Sequence, residues 1–175
     1  MRPALIVAAS AAALLCACTP VVQGGPPMPL SPELVSTARV DMITMSSGWL
    51  PAEDDFSDTF TDEVREELSR CATGSRPLNL RLHVDDLERA DRLQGLLTGT
   101  GRHFLAATAE FTDPARDTAV VGRFPVTVEA PVTGRVAGAL ADRQMVVSEA
   151  WARELCLEAF GRNPRVPGPH NATPD

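Results

Sequence analysis

Apolar and polar residues alternate along four stretches of the chain, and this period of two predicts β-strands. The first strand is predicted over residues 35–45, where Ala38, Val40 and Met42 share one side. The cleanest alternation follows over residues 78–85, and two more strands are predicted around residues 105–111 and 120–128. Pro125 lies inside the fourth strand, which favours an edge or a bulge. The residues predicted to face the core in strands two to four are Leu78, Leu80, Leu82, Val84, Leu105, Ala107, Ala109, Phe111, Val120, Phe124, Val126 and Val128.

Two other stretches repeat their apolar residues every four positions, which predicts helices with one buried stripe. The first helix is predicted to begin at Asp54 or Asp55 and to end near Ala72, and the second lies within residues 134–160. Their buried stripes comprise Phe56, Phe60, Val64 and Leu68 in the first helix and Val147, Trp151, Leu155 and Ala159 in the second. Residues 86–101 fit either a short helix or a loop.

The resulting β-α-β-β-β-α order predicts an α+β fold with a four-stranded mixed sheet and two long helices on one face. A crossover through the first helix makes strands one and two parallel. The two helices then point the same way and end at the same end of the sheet. Cys71 and Cys156 lie near those ends, so we predict a disulfide between them, with two buried thiols as the alternative.

The N-terminus has the layout of a secretory signal peptide. Arg2 precedes an apolar run of about 12 residues, which is typical of a signal sequence and shorter than a membrane-spanning helix. The run ends in Leu15-Cys16-Ala17-Cys18, which resembles the lipobox of bacterial lipoproteins, with Leu15 and Ala17 in the expected places before Cys18. The resemblance implies cleavage after Ala17 and acylation of Cys18. The alternative is ordinary signal cleavage or an uncleaved apolar N-terminus.

The sequence divides into four regions. Residues 1–17 are the predicted signal peptide, and residues 18–34, rich in proline, are predicted to form an extended tether from the lipidated cysteine. Residues 35–160 are the single α+β domain. Residues 161–175 are predicted to be a disordered tail.

Composition excludes several kinds of chemistry. The net charge is −7, so we expect no nucleic-acid partner. The chain has neither lysine nor tyrosine, which excludes a Schiff-base lysine and a P-loop lysine. It also has no local signature of a nucleophile elbow or a phosphate-binding glycine loop. We therefore expect no enzymatic activity and no cofactor.

The candidate interaction surface is the polar face of the predicted sheet. Its residues are Arg39, Asn79, Arg81, His83 and Arg123. If both helices cover the other face, this one is available to a partner, and arginine suits contacts with carboxylates. The alternative is an ordinary solvated face with cross-strand ion pairs.

Two smaller features complete the set of candidates. His83 lies near Asp85 and Asp86, but the sequence offers no matched third ligand, so we expect no metal site. Leu93, Leu96 and Leu97 would form an apolar patch if exposed, or would cover one end of the core.

Together these features resemble a bacterial lipobox-type envelope lipoprotein. By element order, the domain is also similar to periplasmic lipoprotein domains that assist outer-membrane assembly and secretion. Because Thr19, not aspartate, follows Cys18, the resemblance implies an outer-membrane location facing the periplasm. The leading hypothesis is a membrane-anchored, non-enzymatic interaction or assembly module with an envelope protein as its partner. The alternative is a domain that binds a small ligand or lipid.

Overall fold

The computed structural model describes residues 22–48, 56–88, 100–133 and 143–162. The elements in these ranges are α1 (Pro32–Thr37), β1 (Ala38–Ser47), α2 (Phe56–Cys71), β2 (Arg76–Glu88), β3 (Thr100–Asp113), a 3-10 turn (Pro114–Arg116), β4 (Ala119–Thr133) and α3 (Arg143–Phe160). The predicted signal peptide, Cys18, the leucine patch at residues 93–97 and the tail beyond residue 162 lie outside the described residues.

The predicted α+β fold is confirmed. The four strands form one sheet in the order β1-β2-β3-β4, with β1 parallel to β2 and both later pairings antiparallel. α2 makes the crossover between the parallel strands, as the element order predicts. Both long helices pack on one face, where the ring centres of Phe60 in α2 and Trp151 in α3 are 5.1 Å apart. The indole N–H of Trp151 donates to the carbonyl of Val126, 3.0 Å away, which ties α3 to β4.

The core forms between the sheet and these two helices. All eight residues of the two predicted helical stripes are buried, as are the predicted core positions of β2 and β3. Phe111 of β3 makes edge contacts with Phe124 of β4 and Phe160 of α3, at ring-centre distances of 5.8 and 5.7 Å. Wherever a strand keeps its register, the period of two therefore predicts correctly which side chains face the core.

The differences from prediction occur where a strand contains an extra residue. The register shifts between Val40 and Met42 in β1, so that Ile43 and Met45, and not Met42, pack against the core. Met42 is 57% exposed on the opposite face. A single inserted residue reverses the face of every later side chain, because the strand period is two.

Two more register shifts have the same effect. One lies after Val84 in β2, and it brings Leu87 into the core. The ambiguous stretch from residue 86 thus begins as strand, with Asp86 paired to Ala106, while residues 89–99 lie outside the described residues. The other shift falls between Val120 and Gly122 in β4, so Val121 packs against the core.

The start of the packed chain is earlier than the predicted tether allows. Residues 35–37 belong to α1 instead of the first strand, and Ser31 caps this helix by accepting from the N–H of Leu34. Leu30 and Leu34 are both buried in the core. The proline content of residues 18–34 suggests a solvated tether, but two leucines spaced for burial attach its second half to the domain.

Both long helices end at the same end of the sheet, and a disulfide joins them there. Cys71 and Cys156 are bonded, with their Cα atoms 6.0 Å apart, as the strand directions predict. The bond closes a loop of 85 residues, which in the chain-entropy model contributes about 4–5 kcal/mol. Arg162, just after α3, donates to the carbonyl of Cys71 at 2.8 Å and so places a cation at the C-terminus of α2.

Gly74 allows the chain to turn from α2 into β2 close to the start of β1. Its N–H donates to the carbonyl of Ala38 at 2.9 Å, and a Cβ atom at this position would lie 1.9 Å from the carbonyl oxygen of Thr37. Because the carbonyl of Thr37 belongs to the backbone, it cannot rotate away from an added Cβ. The turn at Gly74 and the end of α1 would therefore have to move apart.

We therefore predict that Gly74→Ala destabilises the domain by at least about 2 kcal/mol, the scale of overpacking and a lost backbone hydrogen bond. Gly48→Ala is the matched control, because nothing lies within 4 Å of its added Cβ. Chemical denaturation of both variants measures the difference. Equal stability of the two variants would contradict the close approach.

Candidate functional site

The candidate surface is the face of the sheet opposite α2 and α3. Strand register places Met42 beside Asn79, Thr44 beside Arg81 and Ser46 beside His83. Across β2, His83 is paired with Thr108 of β3. All of these positions have the parity opposite to the buried core residues of β2. The structure therefore brings three predicted residues, Asn79, Arg81 and His83, together in one row.

Arg123 lies on the same face but beneath the N-terminal segment. Its Nε donates to Oε1 of Glu110 at 2.7 Å, and its Nη1 donates to the carbonyl of Pro26 at 3.1 Å. The N–H of Gln23 donates to the other oxygen of Glu110 at 3.0 Å. Glu110 is fully buried and the side chain of Arg123 is only 11% exposed. Arg123 thus holds the chain's own N-terminal segment in place.

We call residues 23–28 the strap. Its last residue, Met28, exchanges two backbone hydrogen bonds with Arg123, at 2.9 and 2.7 Å, as an added bridge on the edge of β4. Gly25 has a positive φ of 128°, and a Cβ there would lie 2.7 Å from Nη1 of Arg123. Glycine at this position therefore lets the strap lie directly on the guanidinium.

Arg39, the remaining predicted residue, pairs within its own strand. Its Nη1 lies 3.0 Å from Oδ1 of Asp41, and both side chains are about half exposed. An exposed pair of this kind contributes at most about 1 kcal/mol. Arg39 is therefore accessible at the edge of the sheet, in contrast to Arg123.

The part of the face that the strap leaves uncovered is the open sheet patch. Its members are Met42, Thr44, Ser46, Asn79, Arg81, His83 and Thr108. Apart from exposed Met42, each is partly buried, as expected for side chains on a sheet face over which the described residues place no second layer. The patch combines one apolar side chain, one guanidinium, one imidazole and four small hydroxyl or amide groups.

A chain of polar contacts runs across the patch from Ser46 of β1 to Thr108 of β3. Oγ of Ser46 lies 3.0 Å from Nδ1 of His83, and Nε2 of His83 lies 3.9 Å from Oδ1 of Asp85. Thr108 donates to the other carboxylate oxygen of Asp85 at 3.0 Å. The distance of 3.9 Å is too long for a hydrogen bond. The group is a cross-strand polar cluster in which His83 and Asp85 do not form the hydrogen bond by which an acid orients a catalytic base.

A cleft of about 110 Å³ lies between the edge of β1 and α2. Val40, Ile43, Leu68 and Ala72 supply its apolar walls, and its polar lining comes from Asp41, Arg65 and Ser69. Binding sites for drug-sized ligands usually measure about 300–1,000 Å³. The cleft holds at most one small side chain or a few water molecules.

The described part of the chain contains no group of three or more histidine, cysteine, aspartate or glutamate side chains arranged to hold a metal ion. None of its helices is both long enough and apolar enough to cross a bilayer.

Asp113 forms a second polar centre, at the end of β3. Its side chain is 1% exposed and accepts from Nη2 of Arg76 at 2.7 Å and from the N–H of Ala115 at 2.9 Å. Burial alone would raise the pKa of Asp113, but these hydrogen bonds and the charges of Arg76 and Arg116 hold it below the ordinary value of 3.8. Arg76 also reaches Glu33 of α1 at 3.2 Å, so this centre links the β3–β4 turn to the N-terminal helix.

Sequence reasoning missed the strap and the partners of Asp113. One available signal for the strap was Glu110, a charged residue on the polar face of a strand whose antiparallel partner carries Arg123 directly opposite. A second signal was Gly24-Gly25 before the prolines, because glycine lets the backbone lie close to another part of the protein. For Asp113 the signal was Asp-Pro-Ala, which is typical of a capped turn.

Comparison with known proteins gives distant similarity only. No family model matches the chain, and no curated protein matches it. A Caulobacter crescentus CB15 protein, described as a candidate lipoprotein, is 14% identical, with a TM-score of 0.41 over 65% of this chain and 85% of that one. A Xanthomonas campestris protein of the family DUF330 is 13% identical, with a TM-score of 0.42 over 75% and 91%. These values carry no argument about function.

The pH dependence of stability should report on Asp113. Because its folded pKa is lowered, its stabilisation is complete above the ordinary value and is lost as the pH falls through that value to the folded pKa. We expect Asp113→Asn to cost about 1–3 kcal/mol at pH 7, the scale of a charge-assisted hydrogen bond. Denaturation curves should show this cost shrinking below about pH 4. Exposed Asp117→Asn is the control, and a cost for Asp113→Asn that does not change with pH would contradict the assignment.

The Glu110–Arg123 pair should dominate the energetics of this face. Arg123→Ala leaves the Glu110 carboxylate buried without its cation, and such changes cost about 3–5 kcal/mol. Arg39→Ala removes an exposed pair and should cost at most about 1 kcal/mol. Urea denaturation of both variants tests the contrast. The hypothesis fails if the two variants lose the same free energy of unfolding.

Proposed function

We propose that this protein is a lipoprotein of the bacterial cell envelope, acylated at Cys18 and held at the outer membrane facing the periplasm. In this proposal its domain is a non-enzymatic interaction module that binds an envelope protein through the open sheet patch. The observation that carries the proposal is this patch, which the described residues leave uncovered. The signal-like N-terminus and the Leu15-Cys16-Ala17-Cys18 motif support the anchor.

The chemistry of the patch supports a protein partner. Protein interfaces are enriched in methionine and arginine, and Met42 and Arg81 lie two strand positions apart across β1 and β2. The hydroxyl and amide groups around them can make hydrogen bonds at a polar rim. Arg39 and Asp41, at the edge of the sheet, add one charge of each sign, which favours a partner of complementary pattern.

Within the described residues, the geometry favours this proposal over binding of a small ligand or lipid. The cleft beside β1 is too small for an acyl chain or a drug-sized molecule. The interior between the sheet and the helices is filled by large side chains, including Trp151, Phe60 and Phe111, which are fully buried.

The anchor is tested by fractionation. Cys18→Ala in the full chain should move the protein from the membrane fraction to the soluble fraction, because an acylated cysteine binds bilayers far more strongly than a bare N-terminus. Cys16→Ala is the matched control and should leave the protein with the membranes. Retention of the Cys18→Ala protein would refute the anchor.

The docking surface is tested by site-specific crosslinking in intact cells. A photo-crosslinking amino acid at Thr44 should form an adduct with an envelope protein, and one at Asp62, on the outer side of α2, should not. Arg81→Gln should weaken the Thr44 adduct without changing protein level, because it removes the charge and places no second carboxylate beside Glu110. Adducts that form equally from both positions, or that persist unchanged with Arg81→Gln, would contradict docking on the patch.

A further inference from the structure

The strap begins close to the proposed anchor, and this closeness constrains how the domain can lie on a membrane. Gln23 is five positions after Cys18, and a fully extended chain spans at most about 3.6 Å per residue. The N–H of Gln23 is therefore within about 18 Å of the acylated residue. That N–H is bound to Glu110, on the sheet face opposite the helices.

The strap is held at several points, so it cannot act as a spacer. Its contacts are the Gln23–Glu110 hydrogen bond, the Pro26–Arg123 hydrogen bond and the two backbone bonds of Met28. Leu30, two residues after it, is 6% exposed in the core. Three prolines between Gly25 and Leu30 restrict the backbone further, because each fixes its own φ.

A domain of this size is roughly 30 Å across, which exceeds the reach of the chain between Cys18 and Gln23. The anchor cannot pass from the strap around the sheet to the outer side of α2 and α3. We infer that, with Cys18 acylated, the strap holds the domain with its sheet face toward the lipid surface and its helices away from it. This inference rests on the proposed anchor at Cys18.

The orientation bears on the kind of partner that the open sheet patch can meet. The patch lies on the face that carries the strap, and its Arg81 is the direct cross-strand partner of Glu110, so the patch faces the headgroup layer. A partner that docks there lies at the membrane surface, as the extramembrane part of a membrane protein does. The cationic side chains of Arg39 and Arg81 on this face are compatible with nearby anionic phosphates.

Energy transfer from the protein to the membrane tests the orientation. The acylated full-length protein is reconstituted in vesicles of phosphatidylethanolamine and phosphatidylglycerol that carry a headgroup acceptor dye. Single donors are attached at Met42→Cys on the sheet face and, separately, at Asp62→Cys on α2. The native side chains are 57% and 74% exposed, and the buried Cys71–Cys156 disulfide does not compete for the label.

We expect at least about twofold stronger transfer from position 42 than from position 62, because roughly the width of a small domain separates the two faces. An insertion of about 20 Gly/Ser residues between Val22 and Gln23 spans about 25 Å and should make the two signals equal. Flotation with the vesicles should be unchanged by the insertion.

The outcomes separate the two levels of the proposal. Equal transfer from both positions without the insertion, in protein that floats with the vesicles, would overturn the orientation and leave the anchor intact. An asymmetry that survives the insertion would also overturn it, because the strap would then not be its cause. Protein that does not float would refute the anchor, and the orientation with it.

Discussion

The parallel pairing of β1 with β2 is the constraint on which the rest of the structure depends. A parallel pair needs a crossover, and α2 supplies it on one face of the sheet. α3 then packs beside α2, so both helices end together and Cys71 meets Cys156. With both helices on that side, the strap is the part of the described chain that covers the other face. The disulfide, the core and the open sheet patch all follow from one handed connection.

Most of this fold could be predicted from the period of the apolar residues, because burial on one face imposes that period. The spines of α2 and α3 and the core face of β2 are examples in which every predicted residue is buried. The period gives the wrong face for Met42, because nothing in the local sequence indicates the extra residue at Asp41. That residue exchanges the two faces of all later side chains in β1. A bulge reflects the fit of β1 to its neighbours, which sequence spacing does not record.

The candidate site could be predicted only in part, for a related reason. Alternation correctly grouped Asn79, Arg81 and His83, since residues two apart on a strand share a face. Arg123 has the same parity, yet its partners include Pro26, 97 positions earlier in the chain. Composition alone assigned that earlier segment to a tether, because proline is common in linkers and also in segments that lie along a sheet edge. Only the three-dimensional contacts distinguish these cases.

The strap has a further consequence for the order of events during synthesis. Glu110 lies 87 positions after Gln23 and Arg123 lies 97 positions after Pro26, so both leave the ribosome long after the strap. The strap cannot dock until β3 and β4 exist and pair. Until then, residues 23–28 have no folded surface to bind. The late strands of the sheet thus determine when the strap becomes fixed.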